Sequence, residues 1–210
     1  MYKVVKRVMD FIIAVCALIV LSPVMLIVAI LVKATSPGPA IFVQQRVGKG
    51  GKVYDMYKFR SMCVGAEQQE GGVFCTKGDA RVTKVGRFIR ATSIDELPQL
   101  VNIIKGEMAL IGPRPVLTYY PKNWDEYTQE ELKRFDVLPG VTGWAAVHGR
   151  KTNTVEARFA YDNYYVDNLS MWLDIKILFM TVKSVLTNEG NEDDGSAEVN
   201  SSNNTTINKI

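Results

Sequence analysis

The chain has 210 residues, a formal net charge of +3, one histidine and three cysteines. A lone histidine, His148, excludes a His-rich zinc centre and disfavours a Ser-His-Asp triad, while Cys16, Cys63 and Cys75 form no C-x-x-C pair and point to a reducing compartment. Chemistry here must therefore use carboxylates, cations or a metal held through oxygen.

Residues 11–32 hold no charge, and apart from Ser22-Pro23 they are all Ala, Val, Ile, Leu, Met, Phe or Cys. As one straight helix this stretch measures about 33 Å, enough for a bilayer core of ~30 Å. Pro23 falls at its midpoint, where it removes a helical hydrogen bond and crowds the preceding turn. Lys3, Lys6 and Arg7 precede the stretch and Lys33 follows it, so the orientation rule draws both ends toward the cytoplasm. Two readings stand side by side: a re-entrant helix-break-helix that dips into the inner leaflet and returns, and an ordinary kinked span. A cleaved signal peptide fits poorly, because its apolar region is only ~7–15 residues long.

Further along, Ser36-Pro37-Gly38-Pro39 reads as a turn cluster, followed by β-rich runs at 40–47 and 53–62 around a glycine-rich hairpin signal at 48–52. Alternation places Lys58 and Arg60 on one face, about 6.6–7 Å apart, as an ordinary solvated pair or a diphosphate clamp. Residues 79–90 turn helical, with Val82, Val85, Phe88 and Ile89 opposite Arg81, Lys84 and Arg87. A second helix carries Leu97, Leu100, Val101 and Ile104 and ends at Gly106, and Thr128 with Glu131 has capping-box spacing. Residues 170–186 carry Met171, Trp172, Ile175, Leu178, Phe179 and Val182 in a wide apolar stripe, suited to a membrane interface. From residue 188 onward, Glu189, Glu192, Asp193, Asp194 and Glu198 against Lys209 give a net −4, which leaves +7 for the rest. A basic body suits an anionic membrane face or phosphate-bearing substrates. The expected fold is α+β: a membrane anchor over 1–35, a mixed domain with a β-hairpin and amphipathic helices over 36–187, and a disordered acidic tail over 188–210.

Three segments carry candidate chemistry. In Arg90-Ala-Thr-Ser-Ile-Asp95-Glu96-Leu-Pro98, adjacent carboxylates could hold a divalent cation and attack a phosphate. Spacing alone favours capping instead, either by Ser93 with Glu96 or by Asp95 with Pro98 in the first turn. In Gly112-Pro113-Arg114-Pro115, a rigid turn either presents a guanidinium to an anion or leaves it in solvent. In residues 139–150, glycines permit close backbone approach to a ligand, Thr142 offers a hydroxyl, and Trp144 stacks or packs.

Taken together and in this order, the segments resemble the bacterial sugar transferases known as monotopic phosphoglycosyl transferases. The likeness covers about residues 1–187. It rests on Lys6-Arg7 and Asp10, Ser22-Pro23, Phe42-Val-Gln-Gln-Arg46-Val-Gly48, Tyr57-Lys58-Phe59-Arg60, the 90–99 and 112–115 segments, and Pro139-Gly-Val-Thr-Gly143-Trp144. The resemblance implies transfer of a phosphosugar from a UDP-sugar to polyprenol (undecaprenyl) phosphate at the inner face of the bacterial cytoplasmic membrane, with release of UMP. It makes Asp95 the nucleophile of a covalent aspartyl-phosphosugar intermediate and Glu96 its partner in holding Mg2+. Arg90 and Arg114 match phosphate- and nucleotide-binding positions, with Lys58, Thr142 and Arg150 as further contacts, and it favours a re-entrant helix at Ser22-Pro23. His148 departs from the pattern, standing where many members carry Asn. Inner-leaflet lipids are expected partners and nucleic acid is not; the sugar, the pathway and the oligomeric state are left open.

Overall fold

The first helix, α1 (Tyr2–Thr35), lies along the rest of the protein for much of its length. The structure is a computed structural model and describes residues 2–69, 72, 75, 78–148 and 154–186. Arg150 and the acidic tail fall outside the described residues.

In contrast to the expected helix-break-helix, α1 runs unbroken through Pro23. Proline has no N–H to give to the carbonyl four residues back, which is that of Ile19. The Ser22 hydroxyl donates to that carbonyl at 2.8 Å, so the lost bond is replaced locally. Both halves of the helix pack on the same body. Ala14, Ala17 and Leu18 meet Leu100, Ile103 and Met108, while Met25, Val28, Ala29 and Val32 meet Phe59 and Ile89. The interval from Leu18 to Met25 covers only about 10 Å of helix. The other side exposes Val4, Val8, Ile12, Ile19, Leu26 and Ile30.

Polar contacts fix the helix ends. Arg7 donates to the carbonyls of Ile103 and Ile104 at 2.6 and 3.1 Å, where a helix C-terminus favours a cation. Lys6 bridges Asp10 and Asp174 at 3.3 and 2.9 Å. At the far end, Arg60 donates to the carbonyls of Pro37 and Ser36 at 2.5 and 2.8 Å.

Strands β1 (Ile41–Val47) and β2 (Val53–Phe59) form the expected hairpin, in register from Val47↔Val53 to Ile41↔Phe59. The second strand stops before residue 62 because Met62 pairs instead with Val82. Helix α2 (Lys84–Ala91) starts later than residue 79: Thr83 caps it, and Arg81 turns back to bond Asp79 and the carbonyls of Ala66 and Gly72. Helix α3 (Gln99–Lys105) ends at Gly106, whose φ of +86° suits glycine. Strand β3 (Ala109–Ile111) is followed by β4 (Val116–Leu117), which completes an antiparallel sheet in the order β2-β1-β4. After the short helix α4 (Gln129–Leu132), opened by the Thr128/Glu131 capping box, β5 (Gly140–Thr142) pairs in parallel with β3. Helices α5 (Trp144–Val147), α6 (Val155–Asp167) and α7 (Met171–Leu186) close the fold. On α7, Leu173 and Ile177 enter the core, and the stripe containing Trp172, Leu178, Phe179 and Val182 faces outward.

Arg60 thus ties the exit of α1 to the hairpin. Arg60→Met leaves two carbonyls without their donor and is expected to lower stability by about 2–4 kcal/mol, or roughly 5–15 °C in melting temperature. Thermal unfolding in nanodiscs checks this, and an unchanged melting temperature contradicts the clamp.

Candidate active site

Alternation along β2 buries Tyr54 and Met56, and Lys58, next on the same face, reaches a cavity of about 680 Å3. Its size suits a small-molecule ligand. Arg90, in the last turn of α2, lines the same cavity. So do Asp95, Glu96 and Arg114.

The two carboxylates sit on a 3-10 turn, Ile94–Glu96, ahead of α3. The chain enters this turn through Ser93, whose φ of +55° makes it the one non-glycine residue in the left-handed region among the described residues. A conformation of this kind costs about 1–3 kcal/mol and recurs at functional sites. The capping readings fail: Ser93 makes no side-chain cap bond, and Pro98, not Asp95, occupies the N-cap position of α3. Both carboxylates are instead placed at the cavity wall. Glu96 pairs with Lys58 at 3.2 Å. Burial pushes the Asp95 carboxyl up to about 6; Lys58 and Arg90 oppose the shift and Glu96 adds to it.

Asn102 sets the distance between these groups. Fully buried on α3, it donates to the Asp55 carbonyl and to Glu107, both at 2.7 Å, and accepts from the Tyr57 amide at 3.1 Å. It pins the carboxylate-bearing turn to the strand that carries Lys58.

Arg114 lies between β3 and β4, and its carbonyl accepts from Arg134 at 2.7 Å. Arg134 is held in turn by a buried 2.6 Å ion pair with Asp162. Beside Arg114 stands Arg46, on the middle strand of the sheet, bonded to the Pro115 carbonyl at 3.1 Å and to Gln44 at 2.5 Å. Burial, then repulsion from Arg114, lowers its pKa to about 10. Arg46 lines the cavity too, and the 42–48 motif that contains it was given no role at the site. A cation on a central strand was the available signal.

Two further candidates are held by partners within the protein. Arg60 lines the cavity, but its guanidinium holds the α1 exit. Thr142 lies outside the 680 Å3 cavity and bonds Thr181 on α7 at 2.8 Å. The nearby glycines serve strand packing: a Cβ on Gly140 would fall 2.1 Å from the Gly112 amide nitrogen, and one on Gly143 2.1 Å from the Gly112 carbonyl oxygen. Close approach is therefore between backbones. Trp144 is buried beside His148 and Tyr164, so it packs.

The sequence profile described as "Bacterial sugar transferase" matches residues 1–188. The chain belongs to the bacterial sugar transferase family. It is 46% identical, over 90% of its length and 45% of the relative's, to the UDP-N-acetylgalactosamine-undecaprenyl-phosphate N-acetylgalactosaminephosphotransferase of Aeromonas hydrophila. It is 44% identical, over 85% of its length and 39% of the relative's, to the UDP-glucose:undecaprenyl-phosphate glucose-1-phosphate transferase of Klebsiella pneumoniae. With the uncharacterised sugar transferase EpsL of Bacillus subtilis (strain 168) it shares 41% identity over 89% of this chain and 90% of that one. The chain spans less than half the length of the first two.

In this member of the sugar transferase family, removal of the Lys58 cation withdraws the largest influence favouring the Asp95 carboxylate. Lys58→Gln is therefore expected to move its titration above about 6. Carbon-13 NMR of labelled aspartate carboxyls checks this, with the signal assigned by its loss in Asp95→Asn. A midpoint near 4 in both proteins contradicts the described environment.

Proposed function

We propose that the protein transfers a phosphosugar from a UDP-sugar to polyprenol phosphate and releases UMP, at the cytoplasmic face of a bacterial membrane. One observation carries the reading. Asp95, not used as a cap, lines with Glu96 a cavity whose wall also holds Lys58, Arg90, Arg114 and Arg46. Relatives that act on UDP-sugars and undecaprenyl phosphate support it.

In the proposed first step, a carboxylate oxygen of Asp95 bonds to the β-phosphorus of the donor. The bond from that phosphorus to the bridging oxygen breaks, and UMP leaves with the electron pair. A phosphate oxygen of the polyprenol phosphate then attacks the same phosphorus, and the Asp95 oxygen leaves as carboxylate. The product is a polyprenyl diphosphosugar. Splitting one displacement into two reuses a single nucleophile and gives ping-pong kinetics. Cations along the wall oppose the diphosphate charge, and the forked guanidinium of Arg114 suits a bidentate phosphate contact.

The donor set also suits Mg2+. That ion binds through one or two carboxylates and takes its remaining ligands from phosphate oxygens and water. Among the described residues no group of three or more His, Cys, Asp or Glu forms a protein cage. Asp95 and Glu96 would hold the ion, which would supply neutralisation of the diphosphate charge.

The same reading places both ends of α1 on the cytoplasmic face. Packing of both its halves on one body supports this, since the ~10 Å between the two contact regions is far short of a ~30 Å bilayer core. The exposed apolar sides of α1 and α7 would then meet lipid.

Asp95→Asn tests the chemistry, because an amide keeps the shape and cannot attack phosphorus. Wild type incubated with UDP-N-acetylgalactosamine or UDP-glucose and no acceptor is expected to gain the mass of a phosphosugar for the accepted donor. The variant should gain none and lose turnover by about 1,000-fold or more. Substantial turnover in the folded variant contradicts the assignment.

A further inference from the structure

Next to the donor cavity lies a second one, of about 160 Å3. Ser93 and Glu96 belong to the walls of both, so the two spaces meet at the reacting end of the site. The linings differ in kind. Where the first cavity is ringed with cations, the second is formed largely by Leu97, Leu100, Leu110, Val141, Ala146 and Val147. Thr142 and Thr181 also line it, but their hydroxyls bond each other at 2.8 Å, and Thr181 donates to the Ile177 carbonyl at 2.8 Å. These hydroxyls already have partners within the protein.

α7 borders this cavity and also carries an exposed apolar face. Thr181 and Ser184 supply part of the wall, and the same helix exposes Leu178, Phe179 and Val182. An apolar helix face, an apolar chamber and, past Glu96, a cation-lined space therefore adjoin one another. A molecule matching that order is an amphiphile with a hydrocarbon chain and a phosphate head. The volume narrows the choice further: an apolar cavity of ~150 Å3 takes a six-carbon ring, so this one suits a single five-carbon branched unit.

We propose that the 160 Å3 cavity seats the first isoprene unit of the lipid acceptor, the one attached to its phosphate. This assignment rests on the transferase reading and extends it. The cavity seats the isoprene unit at the boundary marked by Ser93 and Glu96, so that the phosphate it carries enters the cation-lined space once UMP has left. It also gives an allylic phosphate an advantage over inorganic phosphate, which has no group to fill the chamber.

Short water-soluble acceptors test this without partitioning into membrane. The probes are methyl phosphate and dimethylallyl phosphate, assayed with the full chain in nanodiscs and either UDP-N-acetylgalactosamine or UDP-glucose. Wild type is expected to use dimethylallyl phosphate about 10- to 100-fold better in kcat/KM, the gain from burying one unit. Ala146→Leu fills the chamber and is expected to erase that advantage while the protein still gains the phosphosugar mass from donor alone. Val147→Leu, a smaller intrusion, should erode it in part and serves if Ala146→Leu does not fold. An undiminished advantage in a donor-loaded variant overturns the assignment. Slower donor loading with unchanged acceptor preference also overturns it, by giving the cavity to the donor sugar. Failure of wild type to load any donor from a panel of UDP-sugars, with UDP-galactose added to these two, overturns the transferase reading itself.

Discussion

Burial and the neighbouring Glu96 carboxylate both resist ionisation of Asp95, which lies beside it at the cavity wall. The placement of these two carboxylates is the constraint on which the rest of the structure depends. The Lys58–Glu96 ion pair answers it most directly, with Arg90 as a second cation acting on Asp95. That pair requires a fixed distance between β2 and the turn before α3, which the buried Asn102 sets through three hydrogen bonds. Across the cavity, the ion pair of Arg134 with Asp162 holds the backbone that carries Arg114. The supports of the site, Asn102 and the Arg134–Asp162 pair, are buried.

The second constraint is that a water-soluble nucleotide sugar and a lipid must reach the same carboxylates. The proposed division of space follows from it: cations toward the donor, hydrocarbon toward the acceptor, Glu96 at the boundary. α1 and α7 fit this scheme, since each packs one face on the body and exposes an apolar one. Lys6 and Tyr2 join these two helices through Asp174, with Tyr165 on its other oxygen. The two apolar faces are thereby tied to one frame.

Local patterns were legible in the sequence. The hairpin, the helix ending at Gly106 and the capping box at Thr128 were expected from turn chemistry and periodicity, and all are present. So was the gathering of Lys58, Arg90, Asp95, Glu96 and Arg114 around one cavity, although the family resemblance and not spacing suggested it. What was misread depends on particular hydrogen bonds and close contacts, most of them to partners distant in sequence. Pro23 predicted a break, but the Ser22 hydroxyl supplies the missing bond. Glycines 140 and 143 looked like ligand-facing positions, and it is Gly112, about thirty residues earlier, that needs their missing side chains. A one-dimensional pattern likewise does not show that the Arg60 guanidinium is held by the carbonyls of Ser36 and Pro37, or that the Thr142 hydroxyl meets that of Thr181. Arg46 and Asn102 went unassigned for the same reason.

The central claim is that Asp95 carries the phosphosugar between donor and acceptor. Isotope exchange addresses it without any variant. Enzyme is mixed with the accepted UDP-sugar and labelled UMP, and polyprenol phosphate is left out. A covalent intermediate predicts that label enters the UDP-sugar at a rate comparable to turnover, because the first step reverses by itself. No exchange under conditions where full turnover proceeds would contradict the account, and would point to direct transfer between the two substrates.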